Sequence, residues 1–168
     1  MRARGMMAAL ALGAALAGCR DGRAAAVRPL PGSAPSLAAL GEGIVSGFVA
    51  GDTARLRGYR LSLAEYRDVL WPRLGVDPKM GPSFDFSWHD TQFRGERASR
   101  RYLERMKDLP LRAQETRCDG PPDQYEGMKV LRDCKVVLVD DKGTTEEMQL
   151  FRSVVVIAGG YKIIRYDD

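Results

Sequence analysis

The sequence predicts an α+β fold, with N-terminal helices packed on a curved antiparallel sheet in a cone-like arrangement. Three observations carry this expectation. Apolar residues recur at spacings of three and four between positions 37 and 106, the period of amphipathic helices. The last third holds β-rich runs separated by turn residues. The helical part precedes the strands as a block, without the strand–helix alternation of a parallel sheet. A chain of 168 residues has room for one domain with a real core. With 45% apolar and 29% charged residues it excludes disorder, collagen and a multi-span membrane protein.

Residues 1–19 read MRARGMMAALALGAALAGC. Arg2 and Arg4 make a basic start, and residues 6–17 are apolar or small. That run is shorter than the roughly 20 residues that span a bilayer, and it has the build of a secretory signal peptide. Its end, Leu16-Ala17-Gly18-Cys19, resembles the lipobox of bacterial lipoproteins. The resemblance implies a signal peptide over 1–18, cleavage before Cys19, a diacylglyceryl group on its sulfur and acylation of the new amine. The alternative is an ordinary signal peptide with a chance cysteine. Acyl chains would hold the protein on a membrane without crossing it. In Gram-negative lipoproteins an aspartate after the cysteine acts as an inner-membrane retention signal. Arg20 departs from it, so the outer membrane, facing the periplasm, is expected. The formal charge of +4 falls to +2 without Arg2 and Arg4, which leaves no case for a nucleic-acid partner.

Residues 19–35 are expected as the lipidated cysteine and a flexible linker, partly extended by Pro29, Pro31 and Pro35. Arg20, Arg23 and Arg28 suit anionic headgroups or plain solubility. The folded domain is expected over 36–168. Its first helix carries Leu37, Leu40, Ile44, Val45 and Phe48 behind a Ser36 cap. Gly51-Asp52 breaks it, and Asp52 caps a short helix with Leu56. Ser62 and Glu65 form a capping box, with Leu61 and Tyr66 as its hydrophobic staple. The helix that follows ends near Trp71, because Pro72 has no amide proton. A loop rich in glycine and proline covers 75–84. A long helix follows over 85–108, with Trp88, Gly95, Tyr102, Leu103 and Met106 on one face. Its Gly95 marks close packing on a sheet. Strands are expected at 111–118, 135–139, 148–157 and 161–166. Asp140 to Gly143 form one turn, and Gly159-Gly160 form a two-residue hairpin.

This order resembles the nuclear transport factor two-like superfamily, a cone of helices wrapped by a curved sheet. It is closer still to small uncharacterised bacterial lipoproteins of that superfamily. The Gly51-Asp52 break, the segment from Leu61-Ser62 to Trp71-Pro72 and the ending from Ser153-Val154 to Tyr161-Lys162 carry the likeness. Enzymes of the superfamily place aspartate, histidine or tyrosine inside the cone, and no such set is matched here. Members often dimerise through the sheet, which makes a homodimer an expectation.

With Cys19 modified in an oxidising compartment, Cys118 and Cys134 are expected to form a disulfide. A tight hairpin at Pro121-Pro122 would put them out of register, so a broad excursion centred near Glu126 is expected. Two free buried thiols are the alternative. His89 is the sole histidine, which excludes a two-histidine metal site. Asp85, four residues earlier on a helix, can orient His89 as a general base, or the pair can be a surface arrangement at a helix start. Arg94, Arg97, Arg101 and Arg105 form a basic stripe, either a phosphate-binding face or a salt-bridged one. Trp71, Phe86, Trp88, Phe93 and Tyr102 are candidates to line an apolar pocket, or they are core. The acidic turn at Asp140 fits no calcium loop. Neither a phosphate loop nor a dinucleotide fingerprint is present, and no cofactor is expected. The expected function is a lipid-anchored, non-catalytic module binding a small apolar ligand or an envelope protein. The alternatives are an isomerase, hydratase or hydrolase using Asp85 and His89, and a structural subunit that dimerises through its sheet.

Overall fold

The structure, a computed structural model, describes residues 28–167. The signal peptide, the lipobox and most of the linker lie outside the described residues. Helix α1 (Leu37–Ala50) begins where the Ser36 hydroxyl accepts the Ala39 amide at 3.0 Å. It buries Leu40, Ile44, Val45 and Phe48 and stops at Gly51, whose φ of 67° is left-handed. Asp52 caps α2 (Thr53–Gly58) by accepting the Arg55 amide at 2.9 Å. The capping box at α3 (Leu63–Glu65) is complete: Ser62 accepts from the Glu65 amide and Glu65 from the Ser62 amide.

After α3 the chain makes a π turn (Tyr66–Leu70) and a 3₁₀ turn (Trp71–Arg73) instead of regular helix. Pro72 cannot donate to the carbonyl four residues back. The Trp71 amide instead reaches the Tyr66 carbonyl, and the turn widens. Helix α4 (Phe84–Met106) follows, capped by Ser83. It buries Thr91, Gly95, Ala98 and Met106, while Trp88, Tyr102 and Leu103 are half-buried. Gly95 packs not on the sheet but on two arginines. A Cβ there would lie 3.2 Å from Arg165 Cβ and 3.5 Å from Arg60 Cζ.

Five strands form one open antiparallel sheet: β1 (Arg112–Tyr125), β2 (Met128–Val139), β3 (Thr145–Met148), β4 (Val154–Ile157) and β5 (Gly160–Ile163). β1 takes one edge of β2. β3 and then β4 take the other, and β5 pairs with β4. β1 and β2 run longer than expected, to a tight turn at Glu126-Gly127. The expected centre near Glu126 is right, but the excursion is paired strand rather than a broad loop. Pro121 and Pro122 fall in the register shift between Gly120 and Asp123, where their missing amides cost no ladder bond.

The strand expected over 148–157 is interrupted at 149–153. Leu150 and Phe151 are both fully buried, and regular alternation would send neighbours to opposite faces. The last strand ends at Ile163, and Phe151 bridges Tyr166 beyond it. The β4–β5 turn is Ala158-Gly159, one residue earlier than expected. Gly160 instead leaves room for the incoming chain, because a Cβ there would lie 2.8 Å from Pro29 Cβ. That chain was expected as linker, yet residues 29–34 lie on β5. Ala34 exchanges two 2.9 Å hydrogen bonds with Tyr161 and is buried.

The helices cover one face of the sheet through two apolar clusters. The first joins Leu40, Ile44 and Phe48 of α1 and Met106 of α4 to Val136, Leu150, Phe151 and Tyr166. The second joins Leu61, Tyr66 and Leu70 to Met128, Val130, Val155 and Ile157.

Candidate functional site

The structure scatters the expected site residues. Asp85 and His89 are exposed on α4 and line none of the cavities described below. The neighbouring Asp90 is the engaged carboxylate: it accepts from Arg94 Nε at 2.8 Å and Arg165 Nη1 at 3.4 Å. The basic stripe is a salt-bridged face, for Arg94 pairs with Asp90 and Arg105 with Glu146 at 2.7 Å. Arg97 and Arg101 are exposed beside Phe93.

The five aromatic candidates do not meet in one pocket. Trp71 and Trp88 pack on buried Tyr66 with ring centroids 6.2 and 5.4 Å away. Tyr102 lies edge-on to Phe48 at 5.6 Å and donates to the Asp167 carbonyl at 2.7 Å. Phe86 and Phe93 are 66% and 67% exposed. Cys118 and Cys134 are joined by a disulfide at paired positions of β1 and β2. The Asp140 carboxylate is spent on its own turn, accepting the Lys142 and Thr144 amides at 2.9 and 2.7 Å. Among the described residues no cluster of histidine, cysteine and carboxylates could hold a metal ion.

A cleft of about 540 Å³ opens at the β1 register shift. β1 supplies Asp123, β2 supplies Arg132 and Asp133, the 149–153 break supplies Arg152 and Ser153, and the C-terminal segment supplies Arg165 and Asp167. Each guanidinium meets a carboxylate. Arg132 Nε donates to Asp123 Oδ2 at 2.7 Å, and Arg152 Nε to Asp133 Oδ1 at 3.2 Å. Arg165 lies 3.6 Å from Asp167 and also reaches Asp90. Asp133 holds a left-handed φ of 52° within β2, between the stretches that pair with β4 and with β3. Gly120 permits this, since a Cβ there would lie 2.7 Å from Asp133 Oδ2. The sequence carried a signal for this cleft in Gly120-Pro121-Pro122, two residues after Cys118, a composition that suits a bulge.

A second cavity, of about 270 Å³, lies between α2 and α4. Arg57, Arg60, Glu96, Ser99 and Arg100 line it, over buried Tyr166. Arg60 is only 7% exposed. Its Nη2 donates to the neutral Gln92 Oε1 at 2.7 Å, and burial lowers its pKa from the usual arginine value. Tyr166 is held neutral, its pKa raised by burial, and donates to the Leu56 carbonyl at 2.9 Å.

Comparison with protein-family models, with curated proteins and with solved structures finds no match to this chain.

Proposed function

We propose that this chain is a lipid-anchored protein of the bacterial cell envelope, held by acyl chains on Cys19, and that it is a non-catalytic module binding a polar ligand or protein partner. The Cys118–Cys134 disulfide supports an oxidising compartment. The observation that carries the binding role is the cleft. Six ionised side chains converge there from four parts of the chain, and among the described residues its lining holds no histidine, lysine or cysteine. Its aspartates are matched to guanidiniums, which suits recognition of a charged surface rather than proton transfer. A polar ligand replaces the apolar one of the initial expectation, because the aromatic side chains fill the core or stand alone. The enzyme alternative needs Asp85 and His89 in one pocket, and both are exposed. The likeness to the nuclear transport factor two-like cone belongs to this proposal, with helices followed by an open sheet as its support.

The test has two parts. Metabolic labelling with an alkyne fatty acid should mark the wild-type chain, and Cys19→Ser should lose the label and leave the membrane fraction. Native mass spectrometry of the detergent-extracted chain should show an added mass that disappears on denaturation and in Arg152→Glu. A label that survives Cys19→Ser sinks the anchor. An added mass unchanged by Arg152→Glu, or none at all, sinks the cleft.

A further inference from the structure

Arg60 is a buried cation that makes no ion pair with a described residue, although the Glu96 carboxylate acts on it from farther away. Taking a guanidinium out of water is costly unless an opposite charge and full hydrogen bonding replace the solvent. In direct contact Arg60 has neither. Its hydrogen-bond partner is the neutral Gln92 side chain, and it forms no salt bridge with a described residue. Its Nε and the Gln92 Nε2 are both buried donors without an acceptor. Each donor calls for an acceptor, and of the two residues it is Arg60, not Gln92, that lines the cavity between α2 and α4.

The cavity that Arg60 lines is cationic. Arg57 and Arg100 stand exposed at its mouth, and neither makes an ion pair with a described residue. Among the described residues Glu96 is the one carboxylate in the lining, so three guanidiniums there face a single negative charge. Ser99 and Thr53 add hydroxyl donors. Tyr166 adds none, since its hydroxyl is committed to the Leu56 carbonyl. The Arg60 guanidinium lies against α4 at Gly95, 3.5 Å from an ideal Cβ position there, which is ordinary contact. The guanidinium fork matches the geometry of a tetrahedral oxyanion, and a net excess of two positive charges matches a phosphate dianion. We infer that the cavity between α2 and α4 is a binding site for a phosphate group, with Arg60 as its buried anchor and Arg57 and Arg100 as its outer contacts. This site is separate from the sheet-face cleft, and it stands or falls without the envelope reading.

The phosphate can be free or part of a lipid headgroup. The experiment therefore titrates inorganic phosphate and, separately, glycerol phosphate into the full-length chain in detergent, following Tm and phosphorus NMR line width. Saturation at about ten times Kd should raise Tm by roughly 3–5 °C. Arg57→Gln with Arg100→Gln, both at exposed positions, should weaken binding about tenfold, as expected for two solvent-exposed charge interactions. Glu96→Gln should strengthen it. Arg60→Gln should abolish it, and if that variant does not fold the exposed pair decides. Tighter binding of glycerol phosphate assigns a headgroup, and tighter binding of inorganic phosphate a free anion. No Tm shift with either probe, or affinity unchanged in the exposed double variant, overturns the site.

Discussion

Lys162 ties three parts of the chain together with one charge. Its Nζ donates to both Glu65 oxygens at 2.9 Å and to the Pro31 carbonyl at 2.8 Å. The lysine side chain is 5% exposed and the glutamate 12%. Removing one partner of a buried pair strands the other charge, which costs about 3 kcal/mol. Lys162→Met should therefore lower Tm by roughly 6–12 °C. Adding Glu65→Gln should recover much of that loss, since the stranded carboxylate is gone. A calorimetric loss of only 1–2 °C in the single variant would show the pair to be solvated. Such residues also mark where sequence reading fails. Ser36, Asp52, Ser62 and Asp140 were legible because each bonds within four residues of itself. Lys162 reaches 97 and 131 residues back, and Arg60 reaches 32 forward to Gln92. No local pattern encodes those distances. His89 shows the opposite limit, being exposed on α4 as the surface alternative expected. Its residue type suggested chemistry, while its burial, which decides the matter, was invisible.

The β1–β2 hairpin is the longest element pair, and its ladder runs from Tyr125 and Met128 to Arg112 and Val139. The disulfide crosses it at Cys118 and Cys134, beyond the bulge that holds Pro121 and Pro122. It closes a loop of 15 intervening residues. Cross-linking such a loop removes unfolded-state entropy worth about 3 kcal/mol. Cys118→Ala with Cys134→Ala should thus lower the unfolding free energy by that amount, read as a lower urea midpoint, with m raised because the unfolded chain expands. An unchanged midpoint would mean that the strands hold their register unaided. Elements with one exposed face were read well from the sequence, as α1 and α4 show. The 148–157 run reads as one strand because it is apolar at both ends, and the spaced Gln149, Arg152 and Ser153 do not distinguish one strand with an exposed face from two strands flanking a buried bend. The cleft was missed on the same account, since a bulge, a bend and the C-terminal segment have to meet before it exists.

Across the whole molecule, each apolar cluster contains one buried phenol. Tyr166 lies in the first, 5.1 Å from the Phe48 ring, and Tyr66 lies in the second beneath Trp71 and Trp88. Burial raises both pKa values above the ordinary phenol value, and for Tyr66 burial outweighs a hydrogen bond with Thr91 that acts the other way. In the unfolded chain both titrate near 10. Below that pH both states keep the proton, and their contribution to stability is fully present. Above it the unfolded state releases protons that the folded state retains, so stability falls as pH rises. The loss should be about 1.4 kcal/mol per pH unit for Tyr166 in this window, with a further loss from Tyr66. Urea unfolding followed between pH 8 and 11 should show a flat limb and then a decline, to use about the range that brackets the free phenol. Tyr166→Phe and Tyr66→Phe should each make the decline shallower. Because one sheet lies under both clusters, the two substitutions should act on a single transition. If Tyr66→Phe altered one transition and Tyr166→Phe another, the clusters would be separate cooperative units, and the sheet-face cleft would lie in a molecule able to open one side at a time.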